Sequence, residues 1–211
     1  MSKLTITIEK ATPENAEAAA ILTLMALGSS AKELLGTTCK DLSVSYLMQL
    51  WGKKKNRFSH VYSYIAKQDN KPVGLMTCFP GEMTGKTIFP TMRQLIRIGK
   101  LRFIRHILSQ IKLLKHFSSH VEAHPDEFYI RTLAVLPEYQ GMSIGTQLLD
   151  FMRIQAKAAG LAKCALLVDA DNANGIRFYE RHGFNQDGYW EKPVPFYRMV
   201  AKLPIGGVHP S

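Results

Sequence analysis

The chain has 211 residues, of which 46% are apolar and 21% charged, with 15 glycines and 10 prolines; that balance suits a globular domain and excludes disordered, collagenous and coiled-coil classes. Its formal charge of +10, from 27 Lys and Arg against 17 Asp and Glu, raises nucleic acid, an anionic membrane or an acidic ligand as partners. No apolar run approaches the roughly 18–20 uncharged residues of a bilayer span, and Cys39, Cys78 and Cys164 form no C-x-x-C pair or disulfide framework, so a cytosolic protein with reduced thiols is expected.

In chain order, Leu4-Thr5-Ile6-Thr7-Ile8 alternates as a strand does. Thr12-Pro13-Glu14 then supplies a cap, an N1 proline and an early acid for a helix running to Leu27 and ended by Gly28. A second helix is predicted from Asp41 as N-cap through Val44, Leu47, Met48 and Trp51, before the polar turn Gly52-Lys53-Lys54-Lys55-Asn56, whose lysines are read as solvated. Residues 60–67 and 73–79 are β-rich and joined by the turn-forming run Gln68-Asp69-Asn70-Lys71-Pro72. The chain then turns basic: residues 86–118 hold Lys86, Arg93, Arg97, Lys100, Arg102, Arg105, Lys112 and Lys115 and no acid, so eight of the ten net charges lie there. A helical insertion over 85–120 is predicted, broken at Gly99, with Ile104, Ile107, Ile111 and Leu114 on one face and a basic outer side. Past His124-Pro125-Asp126 come strand Glu127–Val135, helix Ser143–Ala159, strand Lys163–Val168, helix Asn172–His182, and strands Phe184–Trp190 and Val194–Lys202. This β-α-β-α order with short connections predicts one α/β domain with a parallel pairing in the middle of its sheet.

The stretch Leu133-Ala134-Val135-Leu136-Pro137-Glu138-Tyr139-Gln140-Gly141-Met142-Ser143-Ile144-Gly145-Thr146 is a strand stopped by proline, then a small-residue turn entering a helix. The first N–H groups of a helix lack intrahelical partners, and the helix dipole favours negative charge there, so a phosphate or pyrophosphate is the expected guest. The G-x-x-x-x-G-K-[ST] of a P-loop and the G-x-G-x-x-G of a dinucleotide fold are both missing from this turn.

Gln140-Gly141-Met142-Ser143-Ile144-Gly145 resembles the acyl-CoA-binding signature Q/R-x-x-G-x-G/A of the GNAT superfamily of N-acyltransferases. Ser143 stands where glycine is usual; serine is small and a good N-cap. Asn172-Ala173-Asn174-Gly175-Ile176-Arg177-Phe178-Tyr179-Glu180-Arg181-His182-Gly183-Phe184 is similar to the family's N-x-x-A-x-x-F-Y-E-x-x-G-F, with Gly175 where alanine is usual. The resemblance is specific over residues 127–190 and implies a GNAT-like mixed central β-sheet flanked by helices, with the basic helical insertion placed before the cofactor-binding strand. It implies acetyl-CoA as co-substrate, lying between two diverging central strands. Leu133, Ala134 and Val135 match the strand that holds the pantetheine arm, and Gln140, Gly141, Met142, Ser143, Ile144, Gly145 and Thr146 match the pyrophosphate turn. Asn172 matches the asparagine on the pantetheine side, with Phe178 in the same block, and Tyr179 matches the tyrosine that protonates the departing CoA thiolate.

Direct transfer needs a neutral amine, a stabilised oxyanion and a protonated thiolate, but no metal or covalent nucleophile. The general base is open: Glu127 is the residue carried forward, beside Glu82, Glu122, His120 or a water chain, although an acid at a strand edge is more often solvated. His116, His120 and His124 recur every four residues, yet Ser118-Ser119 and His124-Pro125 end the helix there, so surface histidines are expected and not a metal site. The insertion is read foremost as one wall of an acceptor pocket, an arrangement resembling the antibiotic-acetylating branch that includes puromycin N-acetyltransferase. The expected reaction is acetylation of a primary amine on a small molecule, by a chain for which a homodimer is a family expectation and membrane or nucleic acid are not expected partners. The rivals are a non-catalytic basic module acting through residues 93–115 and a protein or peptide N-acetyltransferase.

Overall fold

The computed structural model describes residues 5–109, 121–191 and 194–203. Strand β1 (Ile6–Lys10) leads through a proline-initiated turn, closed by Thr12 and Asn15, into helix α1 (Ala16–Leu27). The Trp51 indole N–H donates to the Thr12 carbonyl at 2.8 Å, so the entry of α1 is fixed from helix α3 (Lys40–Trp51). Between them lies a six-residue helix, α2 (Ser30–Leu35), which the sequence pattern did not indicate because one and a half turns leave too short a periodic signal. Asp41 is a first-turn acid of α3, not its cap; Cys39 holds the cap position and makes no side-chain capping bond.

Strands β2 (Ser63–Gln68) and β3 (Lys71–Pro80) form a hairpin whose two turn residues, Asp69 and Asn70, both have positive φ, as a two-residue turn of this hand requires. Helix α4 (Met83–Ser109) follows and is kinked at Lys100, next to the expected break at Gly99. Its buried stripe is Thr87, Thr91, Leu95, Gly99 and Phe103, while Arg93, Arg97, Lys100, Arg102 and Arg105 face outward. The apolar face expected for its second half is corrected: Ile104 is exposed and Ile107 half-buried, because the kink hands the inward position to Phe103; Ile111 and Leu114 lie outside the described residues. No helix among the described residues is long and apolar enough to cross a membrane.

The second half holds β4 (Glu127–Val135), α5 (Ile144–Ala158), β5 (Lys163–Asp169), α6 (Ala173–Arg181), β6 (Asn185–Trp190) and β7 (Phe196–Lys202). One sheet takes all seven strands in the order β1-β2-β3-β4-β5-β7-β6. Every pairing is antiparallel except β4 with β5, which is parallel. Leu148, Leu149, Met152 and Ala156 of α5 are buried against one face, with Phe128, Ile130, Cys164, Leu166 and Met199 of the sheet. Each large side chain so buried contributes about 1.5–3 kcal/mol. The other face is covered by α1, through Ala19 and Leu22, and by the packed layer of α1, α2, α3 and α4.

Candidate active site

Strands β4 and β5 stay together only from Glu127 opposite Lys163 to Ile130 opposite Leu166. Beyond that point β4 remains paired with β3 through Val135, while β5 remains paired with β7 through Asp169. The sheet is thus split in its middle. The split coincides with a β-bulge: Thr77 of β3 faces Thr132 and Cys78 faces Ile130, so Arg131 is the extra residue on β4. Past the bulge, the Leu136 N–H donates to the Val73 carbonyl at 2.9 Å. Strand alternation then turns the main-chain groups of Leu133 and Val135 away from β3 and toward the split. The Gln140 side-chain amide donates to the Val135 carbonyl at 3.1 Å, anchoring the following turn to that edge.

A cavity of about 1300 Å³ occupies the split and extends to both sides of it. Its lining includes Leu133, Ala134, Val135, Gln140, Gly141, Ser143, Ile144, Gly145, Thr146, Asn172, Phe178 and Tyr179. Of the cofactor and base candidates taken from the sequence, Met142, Glu127 and Glu82 do not line it.

In the turn, Gly141 has φ +78° and Ser143 has φ +60°, two left-handed residues that fold the chain back into α5. From Gly141 to Thr146 the main-chain N–H groups have no acceptor among the described residues; the next, Gln147, bonds the Ser143 carbonyl at 3.0 Å. Six consecutive donors at the positive end of a helix suit a diphosphate. The expectation that Ser143 caps the helix by its hydroxyl is corrected: a left-handed residue cannot swing its side chain onto the first turn, and no capping bond forms. Gly145 packs closely under α6: a Cβ there would lie 3.1 Å from the Phe178 ring, which would have to give by a few tenths of an ångström. Thr146 also reaches α6, its hydroxyl lying 3.0 Å from His182 Nε2, while His182 Nδ1 bonds the Phe178 carbonyl at 2.7 Å.

Asn172 caps α6, its carbonyl oxygen accepting from the Gly175 N–H at 2.9 Å. A Cβ at Gly175 would lie 2.6 Å from the Asn172 amide, so an alanine there would require the Asn172 side chain to shift. Tyr179 is held edge-on between Phe178 and Phe184 at ring distances of 5.3 and 5.6 Å. Burial pushes its hydroxyl up to about 12, so it stays protonated at neutral pH.

The opposite side of the cavity is walled by the α1–α2 loop, by Ile88, Met92, Phe103 and His106 of α4, and by a charged group of Arg57, Glu122 and Arg131. Arg57 grips Glu122 with two bonds, at 3.0 and 2.7 Å. Burial alone would raise the Glu122 carboxyl, but the Arg57 charge and hydrogen bonds outweigh it and hold the carboxyl below the usual range. Asp169, at the end of β5, also lines the cavity; burial raises its carboxyl, and the Ser29 hydroxyl donates to it at 3.1 Å.

Glu127 is corrected in two respects. It is buried, not a solvated strand edge, and its carboxylate is taken by the Arg198 guanidinium and by the His124 N–H at 2.7 Å. Glu82 is exposed and paired with Lys86, Glu122 is committed to Arg57, and His116 and His120 lie outside the described residues. Sequence reasoning missed Asp169, Arg57 and Arg131. The one local signal was the acid pair Asp169 and Asp171 closing the strand before Asn172; the two arginines meet only through the fold.

A protein-family model for the acetyltransferase (GNAT) family matches residues 32–184. No curated protein matches the chain in sequence. A crystal structure described as an acetyltransferase superposes with a TM-score of 0.69 at 20% identity, covering 94% of this chain and 100% of that one. An N-acetyltransferase from Staphylococcus aureus Mu50 gives 0.66 at 21% identity, covering 92% and 100%. PaiA N-acetyltransferase from Thermoplasma acidophilum, in complex with coenzyme A, gives 0.54 at 16% identity, covering 94% and 99%. The split sheet and its donor-rich turn therefore sit in the segment that the family model covers, and the chain belongs to the acetyltransferase (GNAT) family, as an N-acetyltransferase that draws its acetyl group from acetyl-CoA.

Proposed function

We propose that acetyl passes directly from acetyl-CoA to a primary amine of a small molecule, with the coenzyme on the α5–α6 side of the split and the amine on the α4 side. The observation that carries this reading is that the donor-rich turn, the freed β4 edge and the Tyr179 ring all line one cavity. The diphosphate would take the N–H groups from Gly141 to Thr146, and the pantetheine arm would run along Leu133, Ala134 and Val135, flanked by Asn172 and Phe178. A main-chain N–H of that edge is suited to the developing oxyanion. The Tyr179 hydroxyl has no hydrogen-bond partner among the described residues and keeps its proton at neutral pH, which fits it to protonate the thiolate.

For the base, Asp169 takes the place first given to Glu127. It faces the cavity, and its raised carboxyl is a stronger proton acceptor than an ordinary aspartate. A small acceptor is favoured because α4 and the α1–α2 loop wall the chamber. The family assignment speaks against the rival of a non-catalytic basic module, and the inner residues of α4 line the cavity.

Titration calorimetry with acetyl-CoA, followed by turnover of Tyr179→Phe, tests the proposal. The variant is expected to bind acetyl-CoA as the wild type does and to lose about 10²-fold in kcat, within the usual range for a general acid. Undiminished kcat in the variant would remove Tyr179 from the chemistry, and absence of acetyl-CoA binding would remove the site.

A further inference from the structure

The acceptor side of the cavity holds two guanidinium groups and one carboxylate that answers them. Arg57 and Glu122 are joined by two hydrogen bonds, although the Arg57 Nε is also buried without a partner. Arg131 is left over. Its Nε is buried without a hydrogen-bond partner, it has no ion pair among the described residues, and its guanidinium lies over the Phe58 ring at 5.0 Å. An arginine keeps its charge in proteins, so this wall sets two guanidinium charges against the single Glu122 carboxylate and presents a net positive charge to the cavity.

The position of Arg131 is imposed by the fold. It is the extra residue of the β4 bulge, immediately after the last β4–β5 pair at Ile130 and Leu166. Bulges re-aim a side chain, and here the re-aimed side chain lines the chamber beside the mouth of the split. Burial is the largest influence on it and disfavours its ionised form; Tyr129 and Glu122 offset this in part and the Arg57 charge adds to it, so a bound anion at this wall would relieve a cost already present in the protein.

We propose that the acceptor is an amine that also carries a carboxylate, and that Arg131 is its specificity-determining residue. This rests on the acetyl-transfer reading given above. A planar guanidinium stacked on a ring offers a fork of two parallel donors, which matches a carboxylate in geometry and a single negative charge in number. Asp169, on the β5 side of the same cavity, supplies the opposite charge for the amino end.

The test is acetyl transfer to matched pairs: free amino acids against their carboxamides, and short C-terminally amidated peptides beginning with Asp or Glu against the Asn and Gln forms. The wild type is expected to prefer the acid over its amide by about tenfold or more in kcat/KM, as a charge-assisted hydrogen bond confers. The two arms tell a free amino acid from an acidic peptide as the source of the carboxylate. Arg131→Gln should bring the ratio toward one by raising KM for the acid, and Arg131→Lys should retain part of it. An acetyl-CoA Kd equal to that of the wild type certifies the fold of both variants. Equal rates on acid and amide, or Arg131→Gln with its preference intact, would overturn the assignment. Bound acetyl-CoA with no acid-bearing amine acetylated would overturn it too while leaving the acetyl-transfer reading in place, whereas failure to bind acetyl-CoA would sink that reading and this one with it.

Discussion

Ser143 holds a left-handed conformation that costs a side-chain-bearing residue about 1–2 kcal/mol, and its hydroxyl returns no capping bond. Ser143→Gly should therefore stabilise the protein, by about 1 kcal/mol or roughly 2–4 °C in Tm, measured by differential scanning calorimetry. A fall in Tm would mean that the serine hydroxyl holds something that the turn needs. Asp169 supports a second expectation. With its carboxyl raised by burial, the acidic limb of the kcat/KM profile should lie above the ordinary aspartate value near 4, and Asp169→Asn should abolish that limb and lower kcat by about 10²-fold. A limb that persists unchanged in the variant would assign the base elsewhere.

Helix α4 carries much of the chain's positive charge, yet its contribution to the site comes from its other side. Ile88, Met92 and Phe103 line the cavity, and Arg97 and Arg105 stand in solvent. Exchange of both arginines for glutamine should leave kcat and KM within about twofold of the wild type, because solvated charges at this distance are screened. A large rise in acceptor KM would place the basic face in recognition. The sequence located this helix and its break, since eight cations without an acid and a central glycine are local features. It misplaced the apolar face of the second half, because a single reversed residue, Lys100, changes which side chains point inward. The bulge at Arg131 was beyond reach for a related reason: it exists only as a mismatch in register between β3 and β4.

Several buried groups hold their protons more tightly in the folded protein than they would in the unfolded chain. Burial pushes Cys164 and Tyr179 up to about 12 and raises Cys78 and Tyr129 as well. Their unfolded values are near 8.5 for cysteine and 10 for tyrosine, so between those values and the folded ones the native state binds more protons than the unfolded state. The stability they confer is full below about pH 8.5 and falls as pH rises toward 12, by up to about 1.4 kcal/mol per unit per group. Lys10, lowered chiefly by burial, opposes this in the same pH range. Urea midpoints at pH 7.5, 9 and 10.5 should fall in that order, and a constant midpoint would show that these groups are hydrated in the native state.

The sequence by itself determined the order of the strands and of the helices other than α2, and both signature blocks, because alternation, turn chemistry and the glycine-rich helix entry are properties of neighbours along the chain. It thereby also determined where the donor-rich turn and Tyr179 would stand relative to their own helices. Which carboxylates reach the cavity, and with what partners, was decided only in three dimensions. Glu127 is spent on Arg198, 71 residues away, Glu122 is spent on Arg57, 65 residues away, and Asp169 stays in the cavity with the Ser29 hydroxyl, 140 residues away. A charge is priced by its surroundings, and in a split sheet those surroundings come from segments remote in sequence.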